Sequence, residues 1–387
     1  MLKSKQALVE KYFRKYDFLT DIYAPTERFM GYRYVEKVHP FTLSPKSLDW
    51  YLSKGWYRMG SNIFTTHFLC FQQQLYSAIW IRIDLADFSF SKSQRKLMAR
   101  NAKKFTATTA FRRFTQEKEI LYSRYSSNFN GRLSPSLRDS LEDYDEFGVF
   151  TTFETNIREI TSKELVAASY FDIGEQAAAS ILGIYEPAYE KHSLGYYTML
   201  LEMKYCMENG IRYYYPGYVV PGYQRFDYKL RLGPAQFYDL RIDSWIDYEQ
   251  FNMANGPVER QARQLNRLKD QLDQRGLASE LSIYPLFEAR LYHLWQAEYL
   301  NYPYLLLLNG RPTASREWLI AAYDPHTSNF RLLTAQSLEE LRYLFSESYL
   351  QSFPEAGYVR CLLQQNQQLF QTAEVAEMAT IIINLIR

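Results

Sequence analysis

Between Ser193 and Tyr228 the chain reads SLGYYTMLLEMKYCMENGIRYYYPGYVVPGYQRFDY. Ser193 has the side chain of a helix N-cap, and Leu194, Thr198, Leu201 and Tyr205 follow at three- and four-residue spacing as one apolar face. A helix start with Gly195 in its first turn offers unpaired N–H donors and a positive dipole end, which suit a phosphate or a carboxylate. The same residues equally describe an ordinary capped core helix. Gly210 is the expected stop, and Ile211 to Tyr215 read as a strand ended by Pro216 and Gly217. Around these elements stand the hydroxyls of Tyr196, Tyr215 and Tyr218, the cations Arg225 and Lys229, and the acid Asp227. These are residue types that hold an anion, steady an oxyanion or move a proton. His192 can act as a general base at the helix start, although a lone histidine beside a cap is more often a capping or surface residue.

A second chemical feature lies upstream. No acid occurs between Asp87 and Glu117, while Lys92, Lys96, Arg100 and Lys104 recur at i, i+4 positions, joined by Arg95. A helix over Ser91 to Lys104 would carry them as a basic stripe. Like charges at that spacing repel, so the stripe is either a solvated face or the footprint of a polyphosphate partner.

The elements that position these residues follow from pattern. Helices are expected near Lys5 to Tyr16, over Pro45 to Ser53 and over Thr115 to Tyr125. Alternating aromatic runs at Ile63 to Phe71 and Leu75 to Ile83 read as paired strands. Glu164 to Phe171 and Ala177 to Tyr185 form a hairpin whose turn is Asp172–Glu175, so the focal region has the order strand, strand, helix, strand.

With 387 residues, 47% of them apolar, the chain has material for two or three domains with real cores and is not a disordered segment. A net charge of +2 excludes a uniformly basic protein, so any nucleic-acid surface must be regional. The 34 tyrosines can wall clefts as well as fill a sheet-rich core. Cys70, Cys206 and Cys361 are odd in number and far apart, which implies reduced thiols and neither a disulfide framework nor a zinc site. The opening MLKSKQALVEKYFRKYDF lacks the apolar core of a signal peptide, and no apolar run is long enough to span a bilayer, so a soluble cytoplasmic protein is expected.

Four segments, in order, resemble the aminoacyl-tRNA-protein transferases, the arginyl- and leucyl-transferases of the N-end rule. GWYRMGSN at Gly55 to Asn62 resembles the family's Arg-Ser-Gly segment, and FSFSKSQRKLMARN at Phe88 to Asn101 its Ser-x-x-Gln-Arg-Arg segment. SLGYYTMLLEMKY resembles its Ser-Leu-Gly-x-Tyr helix, and Gly210 to Lys229 its Tyr-Tyr-x-Gly-Tyr segment running into Met-x-Tyr-Lys. The resemblance covers roughly residues 55 to 240. It implies an α+β fold with a mixed sheet and flanking helices like that of the GCN5-related acetyltransferases. Where the family has an N-terminal cysteine cluster this chain has Cys70 alone, so no iron-sulfur or other metal cofactor is expected. Where the family has Lys-Met before its Tyr-Lys, this chain has Arg225-Phe226-Asp227.

The implied reaction moves an amino acid, Arg or Leu, from aminoacyl-tRNA to the N-terminal amine of an acceptor protein. An aminoacyl ester is already activated, so positioning supplies most of the acceleration. On this reading Ser193 and Gly195 hold the 3′-terminal phosphates or ribose, and Tyr196, Tyr215 and Tyr218 frame the adenine end or donate to the oxyanion. Arg58 and Arg225 recognise an acceptor carboxylate, Lys229 belongs to the substrate site, and Asp227 or Glu175 selects the attacking amine in its charged form or accepts its proton. Lys92, Arg95, Lys96, Arg100 and Lys104 take the tRNA acceptor stem. The alternatives are a relative that binds RNA or peptide without turnover, and an acyl-CoA-dependent N-acyltransferase, whose Gly-rich phosphate loop the segment EPAYEKH does not supply.

The expected organisation is an N-terminal transferase region over 1–110, an acetyltransferase-like catalytic domain over 111–250, a linker helix over 251–279 and a separate C-terminal α+β unit over 280–387. In that last unit strands are expected near Tyr304 to Leu308, Trp318 to Tyr323, Phe330 to Thr334 and Tyr358 to Gln364, with a helix over Leu338 to Leu350. His293 and His326 are read as structural.

Overall fold

The computed structural model describes residues 34–129, 131, 133–142, 148–292, 298–308, 310, 317–338 and 347–386. The helix expected over Lys5 to Tyr16 and the residue His293 lie outside them.

The described strands are β1 (Val35–Val38), β2 (Tyr57–Met59), β3 (Asn62–Thr66), β4 (Phe68–Phe71), β5 (Gln74–Ser77), β6 (Ile79–Asp84), β7 (Phe105–Phe111), β8 (Thr152–Glu159), β9 (Leu165–Ile173), β10 (Ala177–Tyr185), β11 (Tyr213–Val219), β12 (Gln236–Asp239), β13 (Ser244–Asp247), β14 (Glu280–Ile283), β15 (Tyr304–Leu307), β16 (Glu317–Asp324), β17 (Asn329–Ser337) and β18 (Leu363–Thr372). The helices are α1 (Pro45–Ser53), α2 (Lys92–Ala102), α3 (Gln116–Ser127), α4 (Leu137–Glu142), α5 (Leu194–Glu208), α6 (Pro257–Gln274), α7 (Glu347–Gln351) and α8 (Val375–Ile386).

An eight-stranded mixed sheet in the order β13-β12-β6-β11-β10-β9-β8-β7 is the frame of the molecule. Every adjacent pair in it is antiparallel except β10 and β11, which run parallel because α5 carries the chain back between them. Strand β6 lies between β11 and β12, so the sheet takes strands from both sides of residue 110. The runs LVAASYFDI and AAASILGIY carry few polar residues because helices cover both faces. On one face Leu121, Tyr122, Leu137 and Leu141 pack against Ala168, Tyr170 and Ile184. On the other, Leu200, Met203 and Cys206 of α5 pack against Phe171, Ala178 and Tyr214. Each fully buried Leu, Ile, Met or Phe among these contributes roughly 1.5–3 kcal/mol over its exposed state.

The aromatic runs expected as two strands are four. The first divides at His67 into β3 and β4, and the second at Ala78 into β5 and β6. The pieces belong to three sheets, since β3 joins β1 and β2, β4 pairs with β5, and β6 enters the large sheet.

The C-terminal unit is a five-stranded antiparallel sheet, β14-β15-β16-β17-β18. Helix α6 is amphipathic as expected, but its apolar face is part of this unit's core: Leu265, Leu268 and Leu272 are buried with Phe330, Leu332, Met378 and Ile382. The opposite face of the sheet shares a core with the transferase region, where Tyr34 and Phe68 meet Phe287 and Leu305. The strand expected over Tyr358 to Gln364 falls later, at β18, and of the helix expected over Leu338 to Leu350 the last four residues lie in α7, Leu338 is not helical and residues 339–346 lie outside the described ones.

Candidate active site

Strands β10 and β11 pair over only three positions, from Ala177 opposite Tyr213 to Ala179 opposite Tyr215. Register shifts between Ser180 and Leu182 and between Tyr214 and Gly217 then turn the strands apart. Into the gap projects Tyr57, from β2. Its hydroxyl lies within hydrogen-bonding distance of the carbonyl oxygens of both Ser180 and Tyr215, the latter at 2.9 Å. One O–H can donate to one of them at a time, so the opening keeps carbonyl acceptors beside an ionisable hydroxyl that burial pushes well above its ordinary pKa.

Beneath the opening lies Glu202 of α5, fully buried, with Oε2 accepting from the hydroxyl of Tyr214 at 2.7 Å. Burial pushes its carboxyl up to about 7, against the opposing pull of hydroxyls on Ser169, Tyr214 and Ser180. Above it the 3-10 segment Gln224–Leu232 brings in Lys229, whose Nζ donates to the carbonyl of Tyr218 at 2.9 Å. The ammonium also sits over the rings of Tyr218 and Phe226, 5.4 and 5.2 Å from their centroids. Burial pulls it down to about 7. Gly217, at φ +94°, makes this approach possible, since a Cβ there would lie 3.0 Å from Nζ. An acid and an amine that both titrate near neutrality thus border one opening, a pattern found at sites that move protons.

The walls are aromatic. Tyr125 meets Tyr185 and Phe129 with centroids 5.3 and 5.7 Å apart, and the guanidinium of Arg225 lies 4.4 Å over Phe129. Tyr228, from the same segment as Lys229, is within electrostatic reach of Glu202, Arg225 and Tyr185. Gly195 is placed so that a Cβ would touch the ring of Tyr185 at 3.4 Å, which puts the start of α5 against this wall.

That start differs from the expected cap. Helix α5 begins at Leu194, but Ser193 is in the left-handed conformation (φ 50°, ψ 46°) and its side chain makes no cap hydrogen bond. The preceding 3-10 turn, Pro187–His192, delivers the chain at that angle, and Asn101 of α2 donates to the carbonyl of His192 at 2.9 Å. Of the expected stripe Leu194 and Thr198 are buried and Leu201 and Tyr205 only partly so, while the buried side of α5 also takes in Tyr197, Met199, Glu202, Met203 and Cys206. The Tyr196 hydroxyl donates to the carbonyl of Arg231 at 2.7 Å and accepts from Gln94 Nε2 at 3.0 Å. The His192 imidazole is held below its ordinary pKa, first by desolvation and then by Lys104, Lys191 and Arg100.

Helix α2 has the capping box of Ser91 and Gln94 and presents Lys92, Arg95, Lys96 and Arg100 to solvent. It packs beside α5 through Leu97 and Met98 as well as through Gln94 and Asn101, so the stripe borders the same helix start. Lys104 departs from the other four, because it is ion-paired with Glu159 at 3.4 Å and rests over Tyr189.

Two expected residues are not in the cleft. Arg58 is buried, with 6% of its surface exposed. Its guanidinium donates to Asp172 at 2.7 Å, Thr152 at 2.8 Å, Gly60 O at 2.7 Å and Leu141 O, so it is committed to the protein rather than to an acceptor carboxylate. Tyr215 turns its side chain to the opposite face of the sheet from Tyr214, against Arg82 and Trp245. Tyr218 keeps its place beside Lys229 and Phe226. Asp227 is exposed on the segment that carries Arg225 and Lys229.

Tyr57, Glu202 and Tyr228 were not among the expected site residues. A glutamate set among the apolar residues Met199, Leu200, Leu201 and Met203 of α5 was the available signal for Glu202, and Tyr57 is the neighbour of Arg58 within the matched segment. Among the described residues no group of three or more His, Cys, Asp or Glu side chains could hold a metal ion. The thiol of Cys70 is pushed up to about 12 by burial.

Residues 117–239 match the family model for the C terminus of arginine-tRNA-protein transferase. An aspartate/glutamate leucyltransferase from Vibrio vulnificus is 30% identical over 183 residues, which cover 46% of this chain and 75% of that protein. The chain belongs to the aminoacyl-tRNA-protein transferase family. An enzyme of the same description from Leptospira interrogans is 26% identical over 223 residues, 55% of the chain and 82% of the relative. Among solved structures, a GCN5-related glucosamine N-acetyltransferase region of a fungal multi-domain β-N-acetylglucosaminidase aligns with a TM-score of 0.28 at 12% identity, over 50% of this chain and 22% of that one. The transferase's family segment takes in the basic wall Arg225–Lys229, the start of α5 and both strands that part. No helix among the described residues is long and apolar enough to cross a membrane.

Proposed function

We propose that the chain transfers leucine from leucyl-tRNA to the N-terminal amine of cytoplasmic proteins that begin with Asp or Glu, marking them for degradation. The observation that carries this reading is the opening between β10 and β11, where Lys229 and Glu202 border one gap at the start of α5.

The ester carbonyl of the aminoacyl end lies in the gap, and the first N–H groups of α5, around Gly195, face the terminal phosphate or ribose. The acceptor's ammonium loses a proton to Lys229, which is partly neutral at pH 7. The freed amine attacks the ester carbon, a C–N bond forms, the C–O bond to the ribose breaks, and the proton that the attacking nitrogen sheds passes to the ribose oxygen. Tyr228 is the hydroxyl we assign to the developing oxyanion, since the one proton of Tyr57 is taken by the carbonyl of Ser180 or Tyr215. Arg225, on the aromatic wall, pairs with the acidic side chain of the acceptor's first residue. The exposed cations of α2 hold the acceptor stem, and Lys104 contributes less because Glu159 already occupies it.

The test is transfer of labelled Leu, Arg and Phe from their charged tRNAs to peptides beginning with Asp, Glu, Arg or Lys. Label from Leu on the Asp and Glu peptides is the expected result. Transfer of Arg instead keeps the reaction and corrects the donor. Binding of charged tRNA with no labelled peptide overturns the reading in favour of a non-catalytic relative.

A further inference from the structure

Helix α1 is anchored over the large sheet at two points. Asp49 accepts the backbone N–H groups of Gln176 at 2.8 Å and Ala177 at 3.1 Å, and the carbonyl of Ser53 accepts from Trp245 Nε1 at 2.8 Å. Next to these anchors is a cavity of about 270 Å³ lined by Asp49, Trp50, Ser53, Arg82, Tyr213 and Tyr215 among others. It lies on the face of the sheet away from α5, so it is separate from the opening that holds Lys229 and Glu202.

Arg82 is the distinctive group there. Its guanidinium is held between two rings, 4.1 Å over Tyr213 and 4.7 Å over Trp245. Nε donates to Gln236 at 2.8 Å, and the only other hydrogen bond among the described residues is a long one of 3.5 Å from Nη1 to the Tyr215 hydroxyl. No carboxylate among the described residues is ion-paired with it, and nearby Asp84 is taken by Arg212 at 3.0 Å. A guanidinium fixed in plane, with donors to spare, is suited to receive a carboxylate through two parallel hydrogen bonds. Asp49 brings the opposite charge to the same cavity, and burial raises it to about 6, which an ammonium partner would offset. Trp50, 44% exposed, and Tyr213 supply an apolar wall. The space is below the roughly 300–1,000 Å³ of pockets for drug-sized ligands, so it matches a ligand of a single residue's size.

We propose that this cavity binds a free α-amino acid, with its carboxylate on Arg82, its ammonium on Asp49 and its side chain against Trp50 and Tyr213. The assignment does not depend on which reaction the opposite face performs.

The test titrates the twenty standard amino acids into the full chain by calorimetry, with succinate and isoamylamine as ligands that carry only one of the two charges. At least one amino acid should bind, and Arg82→Gln should weaken it by roughly tenfold or more, the loss expected for a charge-assisted pair. Trp50→Ala, a change at an exposed position, should weaken it severalfold and leave the fold intact. If Arg82→Gln fails to fold, Trp50→Ala and Asp49→Asn decide the matter. The proposal is overturned if no amino acid binds below about 10 mM, if binding is the same in the folded variants, or if succinate or the amine binds as tightly as the amino acid.

Discussion

The hydroxyl of Tyr214 donates to Oε2 of Glu202 across 2.7 Å, in the layer between α5 and the strands that part above it. Burial holds this carboxyl at about 7 rather than 4.5, so the folded chain keeps a proton that the unfolded chain has released between those values. Stability from this group is therefore full below about pH 4.5 and is lost as pH rises through 7. Glu288, raised to about 7, and Asp49, raised to about 6, slope the same way, so only a comparison isolates Glu202. In denaturant melts at pH 5, 6, 7 and 8, Glu202→Gln should be the flatter profile, with a relative gain of up to roughly 3 kcal/mol at the alkaline end. Parallel profiles for the two proteins would mean that Glu202 stays ionised throughout.

Arg58 and Asp172 form a buried pair at 2.7 Å that also engages Thr152. Removing one partner leaves the other charged in a dry site, at a cost of about 3–5 kcal/mol. Arg58→Met should therefore lower the unfolding free energy by that amount. Among molecules that remain folded, KM for an acidic peptide should be unchanged. A stable variant with a selectively raised KM would instead return Arg58 to the substrate site.

The elements around the site were legible where local chemistry dominates. Ser91 with Gln94 fixes the start of α2, and Gly174 with Glu175 marks the turn between β9 and β10, although Asp172 and Ile173, expected in that turn, are paired residues of β9. The start of α5 was also legible, although its cap was not. What pattern could not supply is which side of a strand faces the substrate. Adjacent residues on a strand point to opposite faces, so pattern did not show that Arg58 turns to Asp172 while its neighbour Tyr57 reaches the carbonyls of Ser180 and Tyr215, or that Tyr215 turns to Arg82 and Trp245 while Tyr214 turns to Glu202. Glu202 was hidden because its pKa and its partners are products of tertiary burial. The division of Ile63 to Phe71 at His67 was equally out of reach, since three separate sheets draw on that region.

Helix α2 gives a graded prediction for RNA binding. Lys92, Lys96 and Arg100 make no ion pair among the described residues, whereas Lys104 is held by Glu159. Each phosphate contact that is lost should lower the salt dependence of tRNA binding by about one in the log–log slope. The triple change of Lys92, Lys96 and Arg100 to Gln should thus reduce the slope by roughly two to three and weaken binding without altering the choice of acceptor peptide. Lys104→Gln alone should alter it by less than Lys96→Gln. Filter binding across a salt series measures both, and an unchanged slope in the triple variant would leave α2 as a solvated face.

Lys229 gives the sharpest test of the chemistry. With its amine at about 7, the neutral form that can accept a proton grows as pH rises through neutrality, so the transfer rate should climb between pH 6 and 8 and level off above. Lys229→Arg keeps the charge and approximate length but cannot deprotonate in this range. It should retain tRNA binding, lose roughly a hundredfold or more in kcat, and lose the rise near pH 7. Lys229→Met should lose kcat similarly while relieving a buried charge. The lysine's penalty is complete below about 7 and fades as pH approaches 10.5, so the methionine variant should gain most in stability on the acid side. A peptide already N-acetylated should give no product with any of these proteins, which confirms that the signal is transfer to the amine. If Lys229→Arg keeps both its rate and its pH profile, the proton leaves the acceptor by another route, and the lysine serves only to hold the carbonyl of Tyr218.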